Sequence, residues 1–231
     1  MTRLHFIGGE KGGVGKSVVA RILSQYFIDH QIPFIAFDTD RSHGSLRRFY
    51  ADFAQDVDIS SYEGLDRIVE TAVEDPERRV IVDLAAQTYQ ALAQWMDDSA
   101  LLDITEELGI VPTYWHVMDS GRDSAELLGS LVERFAGRLP LVVVLNEVRG
   151  GDFGILKSSG ALDKAKAVGA EVISLRRLQD ATMQKVDAHN SSFWAASQRG
   201  AKDGASLGLL ERQRVKSWLH GAYEQIAGLP L

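Results

Sequence analysis

The chain has 231 residues, with 25 lysines and arginines, 32 aspartates and glutamates, no cysteine and a formal net charge of −7. Its 45% hydrophobic and 25% charged residues are typical of soluble globular proteins, and no stretch has eighteen uninterrupted apolar residues. The missing cysteines exclude disulfides, thiolate metal sites, iron–sulfur clusters and a cysteine nucleophile. We expect a cytoplasmic protein, because the stretch before the first glycines is too short for a secretion signal.

The charge is distributed unevenly along the chain. Residues 1–156 carry 14 basic and 25 acidic side chains, a net of −11, whereas residues 157–231 carry 11 and 7, a net of +4. The negative total argues against a dedicated nucleic-acid-binding protein. Only the C-terminal third keeps that hypothesis open.

Short apolar runs alternate with helical patterns along the whole chain. The predicted strands are Leu4–Gly8, Pro33–Phe37, Val80–Val82, Ile110–Val117, Leu141–Leu145 and Val172–Leu175. The predicted helices cover residues 17–30, 65–74, 124–135, 161–168 and 207–226. Continuously hydrophobic strands separated by helices indicate a parallel sheet covered on both faces. We therefore predict an α/β fold with a doubly wound, mostly parallel sheet, in a single domain over residues 1–231.

Three of the predicted strands are followed by side chains that can bind a ligand. These are Asp38, Asp83 and Asn146. Ligands of doubly wound sheets bind at the carboxyl ends of the strands, and a glycine-rich segment follows the first strand at the same edge. The sequence therefore predicts a ligand site there.

The glycine-rich segment, residues 8–17, has the sequence Gly-Gly-Glu-Lys-Gly-Gly-Val-Gly-Lys-Ser between a predicted strand and a predicted helix. Glycines let successive backbone N–H groups turn inward around an anion, and the helix N-terminus adds a partial positive charge. Lys16 would reach the outer phosphates of a nucleotide, and the hydroxyl of Ser17 would bind Mg²⁺. A flexible glycine turn with an incidental Lys-Ser pair is the alternative. The predicted nucleotide-binding residues in this loop are Glu10, Lys11, Gly12, Gly13, Val14, Gly15, Lys16 and Ser17.

Four motifs resemble those of one family. Glu10 stands where the standard phosphate loop has its first glycine, and the match is instead to Lys-Gly-Gly-x-Gly-Lys-Ser with Lys11 at its start. This resembles the deviant Walker A motif of the ParA/MinD family of ATPases. Phe37-Asp38-Thr39-Asp40 resembles the second motif of that family, Val80–Asp83 its Walker B strand, and Leu145-Asn146 a later strand. The motifs span about two-thirds of the chain.

The resemblance implies a phosphoryl-transfer site that uses ATP and Mg²⁺. Lys11 resembles the signature lysine that crosses a dimer interface to the partner's nucleotide, so an ATP-bound homodimer is implied. Asp40 resembles the carboxylate that orients the attacking water, and Lys11, Lys16 and Asp40 would form the catalytic set. Such positioning and charge neutralisation are what phosphoryl transfer requires.

The same resemblance implies the remaining ligand contacts. Asp38 and Asp83 would hold Mg²⁺ through water, together with Ser17, and Asn146 would hydrogen-bond the adenine. Two segments differ from the family pattern. Leu84-Ala85-Ala86-Gln87 follows Asp83, where the family commonly has prolines, and residues 41–44 follow Asp40, where the family segment usually begins with Pro-Gln. We expect the nucleotide-sensing switches to couple to something unusual, with ATP binding retained.

The missing cysteines also narrow the choice within the family. They exclude the branches that bridge an iron–sulfur cluster or bind a metalloid, and the single tail tyrosine, Tyr223, argues against a bacterial tyrosine kinase. The partition and positioning branch remains, or conjugative-transfer relatives such as TraL, which the length and the glycine-rich connection after Asn146 resemble.

The expected function is slow ATP hydrolysis by a dimer that positions a DNA or protein cargo, with a small activating or cargo protein as partner. One alternative is a nucleotide-dependent accessory or scaffold protein of a conjugative DNA-transfer apparatus. Another is a small-molecule kinase or ligase on the same fold.

The C-terminal third raises two further questions. Its basic residues resemble the non-specific DNA-binding face of partition ATPases, although an ordinary solvated surface is the alternative. They are Arg176, Arg177, Lys185, Arg199, Lys202, Arg212, Arg214 and Lys216. The last predicted helix carries an apolar stripe, which we expect to face the protein core rather than a membrane. His43 and His116 lack ligand-spaced partners, so no metal site is predicted at either.

Overall fold

The computed structural model describes residues 2–9, 11–40, 44–201 and 206–231. Within these ranges, seven strands form one sheet in which every neighbouring pair is parallel. The strands are β1 (Thr2–Gly8), β2 (Phe34–Asp38), β3 (Ala54–Asp56), β4 (Arg79–Asp83), β5 (Ile110–Met118), β6 (Leu141–Asn146) and β7 (Glu171–Leu175). Their order across the sheet is β3-β2-β4-β1-β5-β6-β7.

Helices occupy most of the connections between the strands. They are α1 (Lys16–Asp29), α2 (Tyr62–Glu74), α3 (Tyr89–Asp98), α4 (Leu101–Glu107), α5 (Arg122–Phe135), α6 (Gly154–Ser159), α7 (Ala161–Ala167), α8 (Asp180–Ala188), α9 (Phe193–Ser197) and α10 (Leu209–Ile226). A short 3-10 helix, Glu147–Arg149, follows β6.

The strands are buried on both faces because their apolar side chains alternate between two cores. Leu4 and Phe6 of β1 pack in one core, and Ile7 packs in the other. Helices α2 to α7 cover the first face, and α1, α8, α9 and α10 cover the second. The predicted α/β class and the doubly wound sheet are confirmed, and the sheet is wholly parallel rather than mostly parallel.

The central position of β1 places its following loop at the middle of the carboxyl edge. β1 pairs with β4 on one side and with β5 on the other. Strands β2, β3 and β4 lie on one side of β1, and β5, β6 and β7 lie on the other, so the direction in which strands are added reverses at β1. Such a switch point is where doubly wound sheets bind ligands.

Some elements were missed or misjudged by the sequence prediction. The missed elements are β3, α3, α4, α6 and α8. Helix α9 was also missed; it begins at Phe193, and Ser192 Oγ accepts a hydrogen bond of 3.1 Å from the N–H of Ala195. A serine in this position satisfies one of the unpaired N–H groups of a helix start.

The apolar stripe of the terminal helix faces the protein. Val215, Leu219 and Ile226 are buried in the second core, and Trp218 and Tyr223 pack against it, whereas Leu210 is exposed. Across the described parts of the chain, no helix combines the length and the apolar character needed to cross a membrane.

Candidate nucleotide-binding site

The loop between β1 and α1 has a backbone that requires glycine. Gly15 has a φ of +98°, and a Cβ there would lie 2.1 Å from Nδ2 of Asn146. α1 begins at the next residue, Lys16, so the N–H groups of its first turn point toward the carboxyl edge of the sheet. Glu10, which the sequence assigned to the nucleotide site, lies outside the described residues.

Two hydrogen bonds hold the loop in this shape. Lys16 is buried, and its Nζ donates to the carbonyl oxygen of Lys11 at 3.1 Å. Nδ2 of Asn146, at the end of β6, donates to the carbonyl oxygen of Val14 at 2.7 Å. Asn146 therefore lies beside the loop and stabilises it, and its hydrogen bond to the adenine stays a prediction.

A cavity of about 260 Å³ opens beside the loop and brings most of the predicted residues together. The loop and the first turn of α1 form one wall. The ends of β2 and β4 contribute Asp40 and Asp83, and the segment after Asp83 completes the lining. The lining residues are Gly12, Gly13, Gly15, Lys16, Ser17, Val18, Asp40, Ser45, Asp83, Leu84, Ala85 and Ala86.

Asp83 is a buried carboxylate with unsatisfied charge. Burial raises the pKa of Asp83 to about 7, and the negative charges of Asp38 and Asp40 add to this, while Ser17 and Lys16 oppose it. Its Oδ1 has no hydrogen-bond partner among the described residues. Carboxylate and hydroxyl oxygens are the ligands that Mg²⁺ prefers. The pair of Asp83 and Ser17 therefore fits a Mg²⁺ ion, held directly or through water.

Asp38 is buried behind the cavity and organises the chain around Asp40. Its Oδ1 accepts from the N–H of Asp40 at 3.0 Å, and its Oδ2 accepts from the N–H groups of Leu46 and Arg47 at 2.7 and 3.1 Å. These bonds shape the segment that carries the predicted water-orienting carboxylate. The Mg²⁺ role of Asp38 stays a prediction.

Thr39, which follows β2, is hydrogen-bonded to the end of β4 and to the segment after it. Its N–H donates to the carbonyl oxygen of Asp83 at 3.1 Å, and its Oγ1 accepts from the N–H of Ala85 at 2.8 Å. Residues 41–43, which contain the unusual Arg-Ser-His sequence, lie outside the described residues. This role of Thr39 has no signal in the sequence, because its contact with Ala85 forms between the ends of neighbouring strands.

Lys11 lies at the rim of the loop beside two carboxylates. Its Nζ is 3.9 Å from Oδ2 of Asp119 and 3.6 Å from Oδ2 of Asp123. The lysine side chain is partly exposed, as a residue that reaches a second subunit must be. Its predicted contact with a partner's nucleotide stays a prediction.

Asp119 follows β5 and was missed by the sequence analysis. Its Oδ1 accepts from the N–H of Gly121 at 3.0 Å and from Oγ of Ser124 at 2.8 Å. Its Oδ2 is 3.2 Å from Nη1 of Arg149. Burial alone would raise the pKa of Asp119, but these hydrogen bonds and the nearby cations of Lys11 and Arg149 lower it overall. The signal that could have identified Asp119 from the sequence is its position directly after a buried strand.

The basic residues of the C-terminal third are partly neutralised by neighbours. Lys185 Nζ is 2.7 Å from Glu211 Oε1, and Arg177 forms an ion pair with Asp180. Arg214 donates to Gln179, and Arg212 donates to the carbonyl oxygen of Leu207. Lys202 lies outside the described residues.

His116 is a buried residue of β5. Burial lowers the pKa of His116 to about 4, and its Nε2 lies 3.2 Å from the carbonyl oxygen of Ser124. His43 lies outside the described residues. In the described ranges, no group of three or more His, Asp or Glu side chains is arranged to hold a metal ion.

Known proteins are similar to this chain at low sequence identity. No family model matches the chain. Protein TraL of Escherichia coli is 23% identical over 98% of this chain and 98% of its own length. Protein MobD of Acidithiobacillus ferrooxidans is 26% identical over 65% of this chain and 64% of its own length.

Solved structures share the fold. The MinC:MinD cell division protein complex of Aquifex aeolicus matches with a TM-score of 0.55 and 12% identity, covering 100% of this chain and 98% of that one. The chain has a ParA/MinD-like P-loop NTPase fold. A nucleotide-binding protein of Archaeoglobus fulgidus in complex with ADP matches with a TM-score of 0.51 and 16% identity, over 81% and 86% of the two chains. These likenesses confirm the predicted ParA/MinD-like family resemblance.

Proposed function

We propose that the chain binds ATP with Mg²⁺, dimerises in that state and hydrolyses the ATP slowly, and that this cycle controls its attachment to a cargo or surface. One observation carries the proposal. The P-loop places Lys16 and Ser17 in the same cavity as Asp83, at the switch point of a ParA/MinD-like fold, with Lys11 at the rim. We also propose that residues 1–231 form one domain, since both apolar cores share the same sheet.

The proposed chemistry assigns each side chain a separate task. The loop N–H groups and Lys16 bind the phosphates, and Ser17, with Asp83 and Asp38 through water, holds Mg²⁺. When bound, Mg²⁺ neutralises charge that develops on the transferred phosphoryl group. Asp40 holds the attacking water, in the segment that Asp38 shapes.

Lys11 couples this chemistry to dimerisation. Its contact with Asp123 is an exposed ion pair, and such pairs contribute little to stability. Its contact with buried Asp119 is longer, at 3.9 Å, and Asp119 stays paired with Arg149 when Lys11 moves away. The lysine can therefore leave its own subunit at small cost and reach a partner's nucleotide. A cation delivered across an interface would then limit hydrolysis to the dimer, as an arginine finger does.

The experiment combines ATP titration calorimetry, size-exclusion chromatography with ATP or ADP, and phosphate release. Lys16→Ala should weaken ATP binding by about 100-fold or more, since a buried charged contact is lost. Lys11→Ala should keep ATP binding but lose the dimer and turnover. Lys157→Ala, an exposed lysine of α6, is the matched control and should behave as wild type. ATP turnover that survives both Lys11→Ala and Asp40→Ala would contradict the mechanism.

A role in conjugative DNA transfer is the second candidate, as an accessory or scaffold protein. Similarity to TraL along nearly the whole of both chains favours this setting over chromosome partition. Attachment to DNA would use the basic C-terminal third, where partners already engage several side chains, so only weak binding is expected. A gel shift with random-sequence DNA at low salt tests this attachment. DNA that is not shifted by the protein with ATP would contradict DNA binding.

A further inference from the structure

Arg149 brings a guanidinium group close to Gly13, in the middle of the P-loop. Its Nη2 lies 3.9 Å from the position that a Cβ on Gly13 would occupy. Arg149 ends the 3-10 helix that directly follows Asn146, and Asn146 is bonded to Val14 inside the loop. The arginine is thus only three residues from a point fixed to the loop.

Asp119 orients this guanidinium. The carboxylate is itself fixed by Gly121 and Ser124, and it lies 3.2 Å from Nη1 of Arg149. An arginine carries five N–H donors in a rigid planar fork, so one carboxylate contact leaves donors for another anion. Orientation before binding reduces the entropy lost when a ligand binds.

The placement of the nearby charges leaves room for an anion as that second partner. Two cations, Lys11 and Arg149, lie close to two carboxylates, but Asp123 is exposed, so Asp119 is the one buried negative charge that they face. Half of the Arg149 side chain is exposed, which leaves it room to move. The neighbouring backbone is an anion-binding loop, and the planar fork of arginine matches two phosphate oxygens at once.

We propose that Arg149 is a further phosphate-binding residue of the P-loop, with Asp119 as its positioning residue. Arg149 contacts the nucleotide phosphates next to Gly12 and Gly13. The inference rests on the proposed function, because it concerns the nucleotide bound there. It predicts discrimination between nucleotides, since ATP carries more phosphate charge than ADP.

The test is calorimetric titration of the full chain with Mg-ATP and with Mg-ADP. Arg149→Ala should weaken ATP binding by about tenfold or more, as expected when a charged hydrogen bond is lost, and should weaken ADP binding less. Arg149→Lys should recover part of the loss. Arg138→Ala, which removes an exposed arginine paired with Asp103, is the matched control and should leave both affinities unchanged.

The outcomes separate this inference from the proposed function. A purely structural role for Arg149 would weaken ATP and ADP equally and would lower the melting temperature, and that result overturns the inference. Unchanged affinities in Arg149→Ala overturn it as well, while ATP binding by the wild type still supports the proposed function. If wild type and Arg138→Ala both fail to bind either nucleotide, both proposals fail.

Discussion

Asp83 and Asp119 lie at the ends of the strands on either side of β1, and both are buried, yet their surroundings are opposite. Each carboxylate has one oxygen that accepts no hydrogen bond, but at Asp83 the effect of burial dominates and raises the pKa to about 7. Asp119 accepts hydrogen bonds from Gly121 and Ser124 and lies beside two cations, so its pKa is lowered. A buried charge that its neighbours do not balance costs stability, and such groups cluster at functional sites. This difference supports the proposals that Asp83 binds a ligand and that Asp119 positions Arg149.

The largest expected effect comes from Asp83→Asn. Hydrolysis should fall about 100-fold or more, because loss of a preorganised electrostatic contact has that size. The nucleotide-free protein should instead become more stable by about 1 kcal/mol, or 2–4 °C, because an uncompensated buried charge is removed. Phosphate release and thermal melting at pH 8 measure the two effects. Asp97→Asn, at an exposed ion pair with Arg134, is the control. A lower melting temperature for Asp83→Asn would contradict the proposed difference between Asp83 and Asp119.

Asp119→Ala should change stability in the opposite direction. We expect a loss of about 2 kcal/mol in the free energy of unfolding, because Ser124 and Gly121 lose a buried acceptor. Urea denaturation followed by tryptophan fluorescence measures it. Asp123→Ala is the matched control, since Asp123 also contacts Lys11 but is exposed, and it should lose no more than about 0.5 kcal/mol. Equal losses in the two variants would show that burial of Asp119 does not matter.

The smallest expected effect concerns His5, a residue of β1, the strand that lies between the strands of these two carboxylates. Burial, with the charges of Arg3 and Arg79, lowers the pKa of His5 to about 3. Between about pH 6.5 and 3 the unfolded chain binds a proton that the folded chain does not, so stability falls as the pH falls. From pH 7.5 to 5.5, wild type should lose about 1 kcal/mol more than His5→Gln.

Urea titrations at both pH values measure this difference. Asp83 titrates with the opposite sign, because its raised pKa makes the folded chain gain stability as the pH falls below about 7. Its contribution cancels, since wild type and His5→Gln both contain Asp83. His220→Gln, at an exposed histidine of α10, should follow the wild-type profile. If the free energy of unfolding of His5→Gln changed with pH as much as that of the wild type, His5 would not be held neutral.

Local patterns predicted the sheet and most of the cavity. Buried parallel strands are continuous apolar runs, so β1, β4 and β6 were recognisable together with the polar residues at their ends. β3 was missed because three residues at a sheet edge bury only Ala54. Helix α3 was missed although Leu92, Trp95 and Met96 have helical spacing, because no strong start signal precedes it.

The amino-acid sequence by itself determined the P-loop and the acidic strand ends, because a phosphate-binding turn is built from contiguous residues and parallel strands end at one edge. Only the tertiary structure decided that burial dominates at Asp83, whereas hydrogen bonds and two cations outweigh it at Asp119. Desolvation and Coulomb energies depend on distances between chain segments, such as those that join Asp119 to Lys11 and Arg149. For the same reason the net charge of the C-terminal third did not reveal that Lys185 and Arg177 are already paired.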